Sequence, residues 1–181
     1  MVDILDGKGN PTGEIKLKRE AHAKGLWHRA SHIWIYNSKG EVLLQLRSKN
    51  KSLYPNLWDV SAAGHVSAGQ SYDEAAVREL FEELGVKAAI SELKNIENRK
   101  LDIKLGATHN REFIQVYLLK LNKDIKNLKV QKEEIEQVKF MPLEKFESEI
   151  KDSAKAKKYV PHGEYYFDVI QYIREELRKT S

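Results

Sequence analysis

The run Gly64-His65-Val66-Ser67-Ala68-Gly69-Gln70-Ser71-Tyr72-Asp73-Glu74-Ala75-Ala76-Val77-Arg78-Glu79-Leu80-Phe81-Glu82-Glu83-Leu84-Gly85-Val86 contains a loop and the helix that follows it, with both helix ends marked. Ser71 stands three residues before Glu74, the capping-box arrangement in which each side chain satisfies the other's backbone amide. Gly85 stands where a helix C-terminus takes a left-handed residue. With about 100° of rotation per residue, Val77, Leu80, Phe81 and Leu84 share one side, expected to bury, and Glu79, Glu82 and Glu83 gather on the opposite side. Carboxylates so spaced repel one another unless water, an arginine or a divalent cation compensates. Oxygen ligands suit Mg²⁺ or Mn²⁺, and Mg²⁺ is held by a few carboxylates together with water and substrate phosphates. Ala75 and Ala76 border the acidic side and leave room for a ligand, and Gly64 permits close backbone approach. Taken alone, the three glutamates fit a solvated acidic stripe as well as a metal site.

Upstream of this helix, the turn formers Asp6-Gly7-Lys8-Gly9-Asn10-Pro11-Thr12-Gly13 predict an N-terminal hairpin within 1–20. Trp27 to Tyr36 and Glu41 to Arg47, separated by Asn37-Ser38-Lys39-Gly40, predict an antiparallel pair. Leu53 to Ala63 reads as a loop and a short strand. Downstream, Ala88 to Lys100 and Arg111 to Leu121 read as strands interrupted by Gly106 to Asn110, and Gln137 to Met141 as a further strand. C-terminal helices over 142–178 follow, opened by Pro142 as a first-turn proline. Strands with one central helix and closing helices predict an α/β (α+β) fold, a mixed sheet sandwiched between helices with the glutamate-bearing helix packed on it.

At 181 residues the chain suits a single domain, 1–181. No stretch approaches the roughly 20 apolar residues of a membrane span. Met1 to Gly7 has neither the basic start nor the apolar run of a signal peptide, so the expected compartment is the cytoplasm. The absence of cysteine excludes disulfides, thiolate metal sites and cysteine nucleophiles. A net charge of +4 is spread along the chain rather than gathered in a stripe, which argues against a nucleic-acid partner. The expected partner is a small anionic molecule, with a homodimer left open.

Gly64 to Val86 resembles the Nudix box: Gly, five residues, Glu, seven residues, Arg-Glu, an apolar residue, any residue, Glu-Glu, any residue, Gly, apolar. One keyed position departs, Gln70 standing where the family has glutamate. The resemblance implies a Nudix-type α/β/α sandwich and a Mg²⁺-dependent hydrolase that cleaves the diphosphate linkage of an organic or nucleoside diphosphate. It assigns the metal to Glu79, Glu82 and Glu83 with the backbone carbonyl of Ala63 or Gly64, and the orientation of the glutamates to Arg78. A general base would be Glu82, Glu83 or a glutamate of a later loop, for which Glu134 is the best placed.

The resemblance extends to Leu26–His32, Leu44–Ser48, Tyr54–Asp59 and Ser61–His65, and is similar to the branch holding type I isopentenyl-diphosphate isomerase and its hydrolase-like relatives. That isomerase holds a metal with three histidines and two glutamates. His22, His28 and His65 fall at the histidine positions and Glu112 at one glutamate position, implying a second metal site, while Asn110 occupies the other. Isomerisation also needs an acid and a base on opposite sides of the substrate, one of them a cysteine just before the Gly-His pair. Ala63 stands there, so the resemblance implies hydrolysis rather than isomerisation. The alternatives are an isomerase-like protein without isomerase activity and a non-catalytic Nudix-fold nucleotide-binding module. Arg47 and Lys51 are expected to contact the diphosphate, and Trp58, which follows the loop expected to overhang the substrate, is a further substrate-side candidate that reads equally as core or pocket wall.

Overall fold

The computed structural model describes residues 1–179. Its axis is β3 (Trp27–Tyr36), which pairs on one side with β8 (Thr108–Lys120) in parallel along its whole length, from Trp27 opposite Arg111 to Tyr36 opposite Lys120. β1 (Val2–Leu5), β4 (Glu41–Arg47) and β6 (Ala62–His65) pair with β3 antiparallel. The sheet is completed by β2 (Pro11–Lys16) on β1, by β5 (Trp58–Asp59) and β9 (Ile135–Pro142) on β4, and by β7 (Lys94–Leu105) on β8. It is therefore mixed.

Side chains alternate across a strand, and the two faces of β3 meet different layers. Ile33 and Ile35 pack with Tyr117 and Leu119 of β8 beneath α2 (Tyr72–Leu84), through Ala76, Leu80 and Leu84. Trp34 and Tyr36 pack with Val116 and Leu118 beneath α3 (Leu143–Lys151) and α4 (Tyr165–Lys179), through Phe146, Tyr166 and Ile170. Strand residues 33–36 are apolar because both faces are covered. Nearer its start, the second face carries His28, Ala30 and His32 instead. There β3 is flanked by Glu112 opposite His28 and by His65 opposite Ala30. The switch from apolar to polar along one face is what opens a cleft at that end of the sheet.

Five features correct the sequence-based expectations. A short helix, α1 (Lys18–Lys24), follows β2, closed by Gly25 at φ 62°. Ala88 to Leu93 is not strand: it forms an irregular segment with one 3-10 turn. The interruption between β7 and β8 is only Gly106-Ala107, so Thr108 to Asn110 are strand residues. The helical wheel of α2 is also turned from the expected one. Phe81 is 54% exposed and Glu83 only 4%, while Ala75 and Ala76 are fully buried in the packing rather than lining a ligand space. Their small side chains let α2 sit close to the sheet, which carries Glu83 inward. Pro142 ends β9 and serves as the N-cap residue of α3 rather than its first turn.

Candidate active site

Ser71 and Glu74 complete the capping box of α2, and Gly85 closes it at φ 65°. The helix therefore presents Glu79, Glu82 and Glu83 from a fixed frame. Glu79 lies against Gly64: a β-carbon there would stand 1.9 Å from the Glu79 carboxyl carbon, so a larger residue would displace that carboxylate. Glu83 accepts a hydrogen bond from the Ala63 amide at 3.2 Å. Arg78 ties the loop to the helix, donating to Glu79 at 2.7 Å, Glu82 at 2.9 Å and the His65 carbonyl at 2.9 Å. Its Nε reaches the Gln70 side-chain oxygen at 3.4 Å, a long contact. Burial raises the pKa of Glu79, which Arg78 partly offsets. Burial and the facing Glu79 push Glu83 up to about 8. A half-buried and a buried carboxylate, each with its pKa raised, lie beside each other and form a site that a cation would complete.

A second cluster comes from four elements. His22 (α1), His28 (β3), His65 (β6) and Glu112 (β8) each bring one ligand atom, all within 4.8 Å of one another. His28 donates from Nδ1 to the Leu26 carbonyl at 2.8 Å, which fixes the ring with Nε2 turned towards Glu112. That Nε2 is buried, without a hydrogen-bond partner, and stands 3.7 Å from Glu112. His65 Nε2 is 3.0 Å from Glu112 and 3.2 Å from His22 Nε2. Burial and His65 push His22 down to about 4, and burial lowers His65 against the pull of Glu112. Glu112 behaves oppositely to Glu83: burial would raise it, but His28 and His65 hold it well below the usual carboxylate range. The Asn110 side-chain oxygen is likewise buried without a partner. Crowded imidazoles, an ionised carboxylate and a buried ring nitrogen without a hydrogen-bond partner fit a metal ion.

Both clusters line one cleft of about 390 Å³. His28, fully buried, lies behind its wall. Among the cations, Arg47 donates to Asp59 at 2.9 Å and to the Leu53 carbonyl at 2.9 and 3.1 Å. Two of the five N–H groups of its guanidinium then remain for a ligand. Lys51 pairs with Glu134. Glu134 is held below its ordinary value, Lys51 outweighing burial. Trp58 does not line this cleft: its ring packs under Lys139, 3.7 Å from the ring centre, and against the core beneath α3 and α4. Strand alternation instead turns its neighbour Asp59 to the cleft, with Leu53 and Tyr54 supplied by the preceding loop.

Sequence reasoning also missed Lys18, Asp59 and His162 in this lining and treated His32 as a plain strand residue. Alternation along β3 was the available signal for His32. His162 lies 103 residues from Asp59, its hydrogen-bond partner, and no local pattern links them.

The sequence pattern of the family described as NUDIX domain matches residues 26–163. "Nudix hydrolase 3" of Arabidopsis thaliana is 38% identical over 192 residues, covering 99% of this chain and 25% of that protein. An "Isopentenyl-diphosphate Delta-isomerase" of Pectobacterium atrosepticum is 36% identical over 98 residues, 54% of each chain. The chain thus spans a quarter and about half of these relatives. A crystal structure from Deinococcus radiodurans superposes with a TM-score of 0.65 at 24% identity, covering 96% of this chain and 97% of that one. That likeness is one of fold. Among the described residues, no helix is long and apolar enough to cross a membrane.

Proposed function

Because the chain belongs to the NUDIX domain family, we propose that it is a Mg²⁺- or Mn²⁺-dependent pyrophosphohydrolase, cleaving the diphosphate linkage of an organic or nucleoside diphosphate. The observation that carries this reading is the pair of carboxylates of half-buried Glu79 and buried Glu83, crowded against Gly64 and Ala63 and each with its pKa raised by burial. Glu79, Glu82, Glu83 and the Gly64 carbonyl are an all-oxygen donor set suited to these cations. A bound cation would neutralise phosphate charge and activate water.

The protein's own groups supply the rest. Arg78 holds Glu79 and Glu82 in place and fixes the loop through the His65 carbonyl. Glu82 or Glu83 accepts the proton of the attacking water; Glu134 is the alternative base, though its pairing with Lys51 commits it to a cation. Arg47 and Lys51 face the phosphates. His22, His28, His65 and Glu112 form a second cation site with nitrogen donors, which suits a wider range of metals than the glutamates do.

The histidine cluster also favours a second reading, allylic isomerisation, the activity that the Pectobacterium relative is named for. Ala63 has no ionisable group and the chain has no cysteine, so the acid–base pair is incomplete. The test is phosphate or nucleotide release with Mg²⁺ over a panel of NDP-sugars, dinucleoside polyphosphates, NADH, ADP-ribose, nucleoside triphosphates and isopentenyl diphosphate. Hydrolysis of at least one member is expected, with no interconversion of isopentenyl isomers. A panel left intact would sink the proposal.

A further inference from the structure

Two imidazoles on the cleft wall play no part in the chemistry above: His32 of β3 and His162 of the segment between α3 and α4. Their ring centres lie 6.0 Å apart, edge to face. Both side chains are almost wholly buried, and each is held by the protein at one nitrogen.

The hydrogen bonds set which nitrogen carries the proton. The Trp34 indole, a donor only, gives its N–H to the Tyr165 hydroxyl at 2.8 Å. The Tyr165 phenol, its pKa raised by burial, keeps its own proton, and the acceptor on hand is His32 Nδ1 at 3.1 Å. Burial pushes His32 down to about 4, so the ring is neutral. With Nδ1 accepting, Nε2 bears the hydrogen, and no protein group among the described residues receives it. His162 is the mirror case. Its Nε2–H donates to Asp59 at 2.8 Å, and Asp59 also receives Arg47. Burial would raise Asp59, but His162 and Arg47 outweigh it and keep the carboxylate ionised. In the neutral ring this leaves Nδ1 as an acceptor. One wall thus offers a fixed donor beside a fixed acceptor, each backed by a buried partner.

We propose that His32 and His162 are specificity-determining residues that read a hydrogen-bonding edge on the organic part of the substrate, His32 Nε2–H giving to an acceptor and His162 Nδ1 receiving from an adjacent donor. Resting on the diphosphate-hydrolase reading, this names the group carried beyond the phosphates: a planar polar ring with donor and acceptor on neighbouring atoms, as on the edge of a nucleobase. A prenyl chain has neither, and would leave both histidine nitrogens unpaired in the cleft. Asp59 and Tyr165 are positioning residues, acting through the imidazoles.

The test is calorimetric titration of the full chain in Mg²⁺ buffer with AMP, CMP, GMP and UMP, compared with ribose 5-phosphate, none of which contains a diphosphate to cleave. At least one nucleotide is expected to bind roughly tenfold more tightly than ribose 5-phosphate. His162→Leu and His32→Phe should bring that ratio close to one, and His162→Asn, which keeps an acceptor, should restore part of it. Equal affinity for all five ligands overturns the proposal, as does a ratio that survives both substitutions. Should the variants fail to fold, the wild-type protein decides with the preferred nucleotide methylated on its ring donor: lost preference supports the pairing and retained preference overturns it. Hydrolysis is not part of this readout, so an inert diphosphate panel beside a clear base preference would remove the hydrolase reading alone.

Discussion

Glu83 and Glu112 are both buried glutamates beside one cleft, yet the protein displaces their ionisation in opposite directions. Glu83 faces another carboxylate, Glu79, and prefers its proton. Glu112 faces His28 and His65 and stays charged. The contrast separates two kinds of cation site. The α2 side is an unmet electrostatic demand, waiting for charge from solvent or substrate. The histidine side keeps its carboxylate ionised, and its unmet polar atoms are His28 Nε2 and the Asn110 side-chain oxygen.

The hardest blow to the α2 side is Glu83→Gln, which keeps shape but removes the charge. Hydrolysis should fall roughly 10²- to 10⁴-fold by steady-state kinetics. An unchanged kcat would place the chemistry elsewhere. On the other side, His28→Ala should cost about 10- to 100-fold in metal affinity at one site. Atomic emission spectrometry should find less bound metal, while the glutamate site still loads. Equal metal content in variant and wild type would mean that the histidines hold nothing.

Stability against pH sharpens the contrast further. Glu83 has a folded pKa of about 8 against an ordinary 4.5, so the metal-free folded state holds a proton that the unfolded state has lost. Stability from this group is therefore fully present below about 4.5 and declines as pH rises towards 8. Glu112, its folded pKa depressed, acts the other way: its contribution is present above the ordinary value and disappears on acidification. In EDTA at about pH 8, Glu83→Gln should raise the melting temperature by roughly 5 °C, the equivalent of about 2 kcal/mol. A variant that melts lower there contradicts the assignment. The smallest effect belongs to Gln70→Glu, which would turn the 3.4 Å contact to Arg78 into an ion pair. About 0.5 kcal/mol, or 1–2 °C by calorimetry, is expected. A drop instead would mean that Arg78 is already saturated.

How far these features could be read from the sequence depends on how local their causes are. The ends of α2 were legible because Ser71, Glu74 and Gly85 act within one turn of the chain. The strand pair around Asn37 to Gly40 was legible for the same reason. The burial of Glu83 and the exposure of Phe81 were not, since helix rotation is set by how closely Ala75 and Ala76 let α2 approach the sheet. α1 escaped notice because seven residues with one buried alanine carry no clear period. The nearness of His22, His28, His65 and Glu112 was reachable only through resemblance: the β3–β8 register and the β3–β6 pairing that gather them join residues far apart in the chain. His162 had neither a local pattern nor a resemblance to point to it, and Asp59, although inside the resembling stretch Tyr54–Asp59, carried no assigned role.

The account's central claim is that water attacks a diphosphate held at the α2 carboxylates. Turnover of whichever panel member is cleaved, run in oxygen-18-labelled water with products weighed by mass spectrometry, tests it most directly. One labelled oxygen per turnover is expected in a phosphate-bearing product, with the rate of label uptake falling in Glu83→Gln. A product formed without label, or label uptake undiminished in that variant, would contradict it.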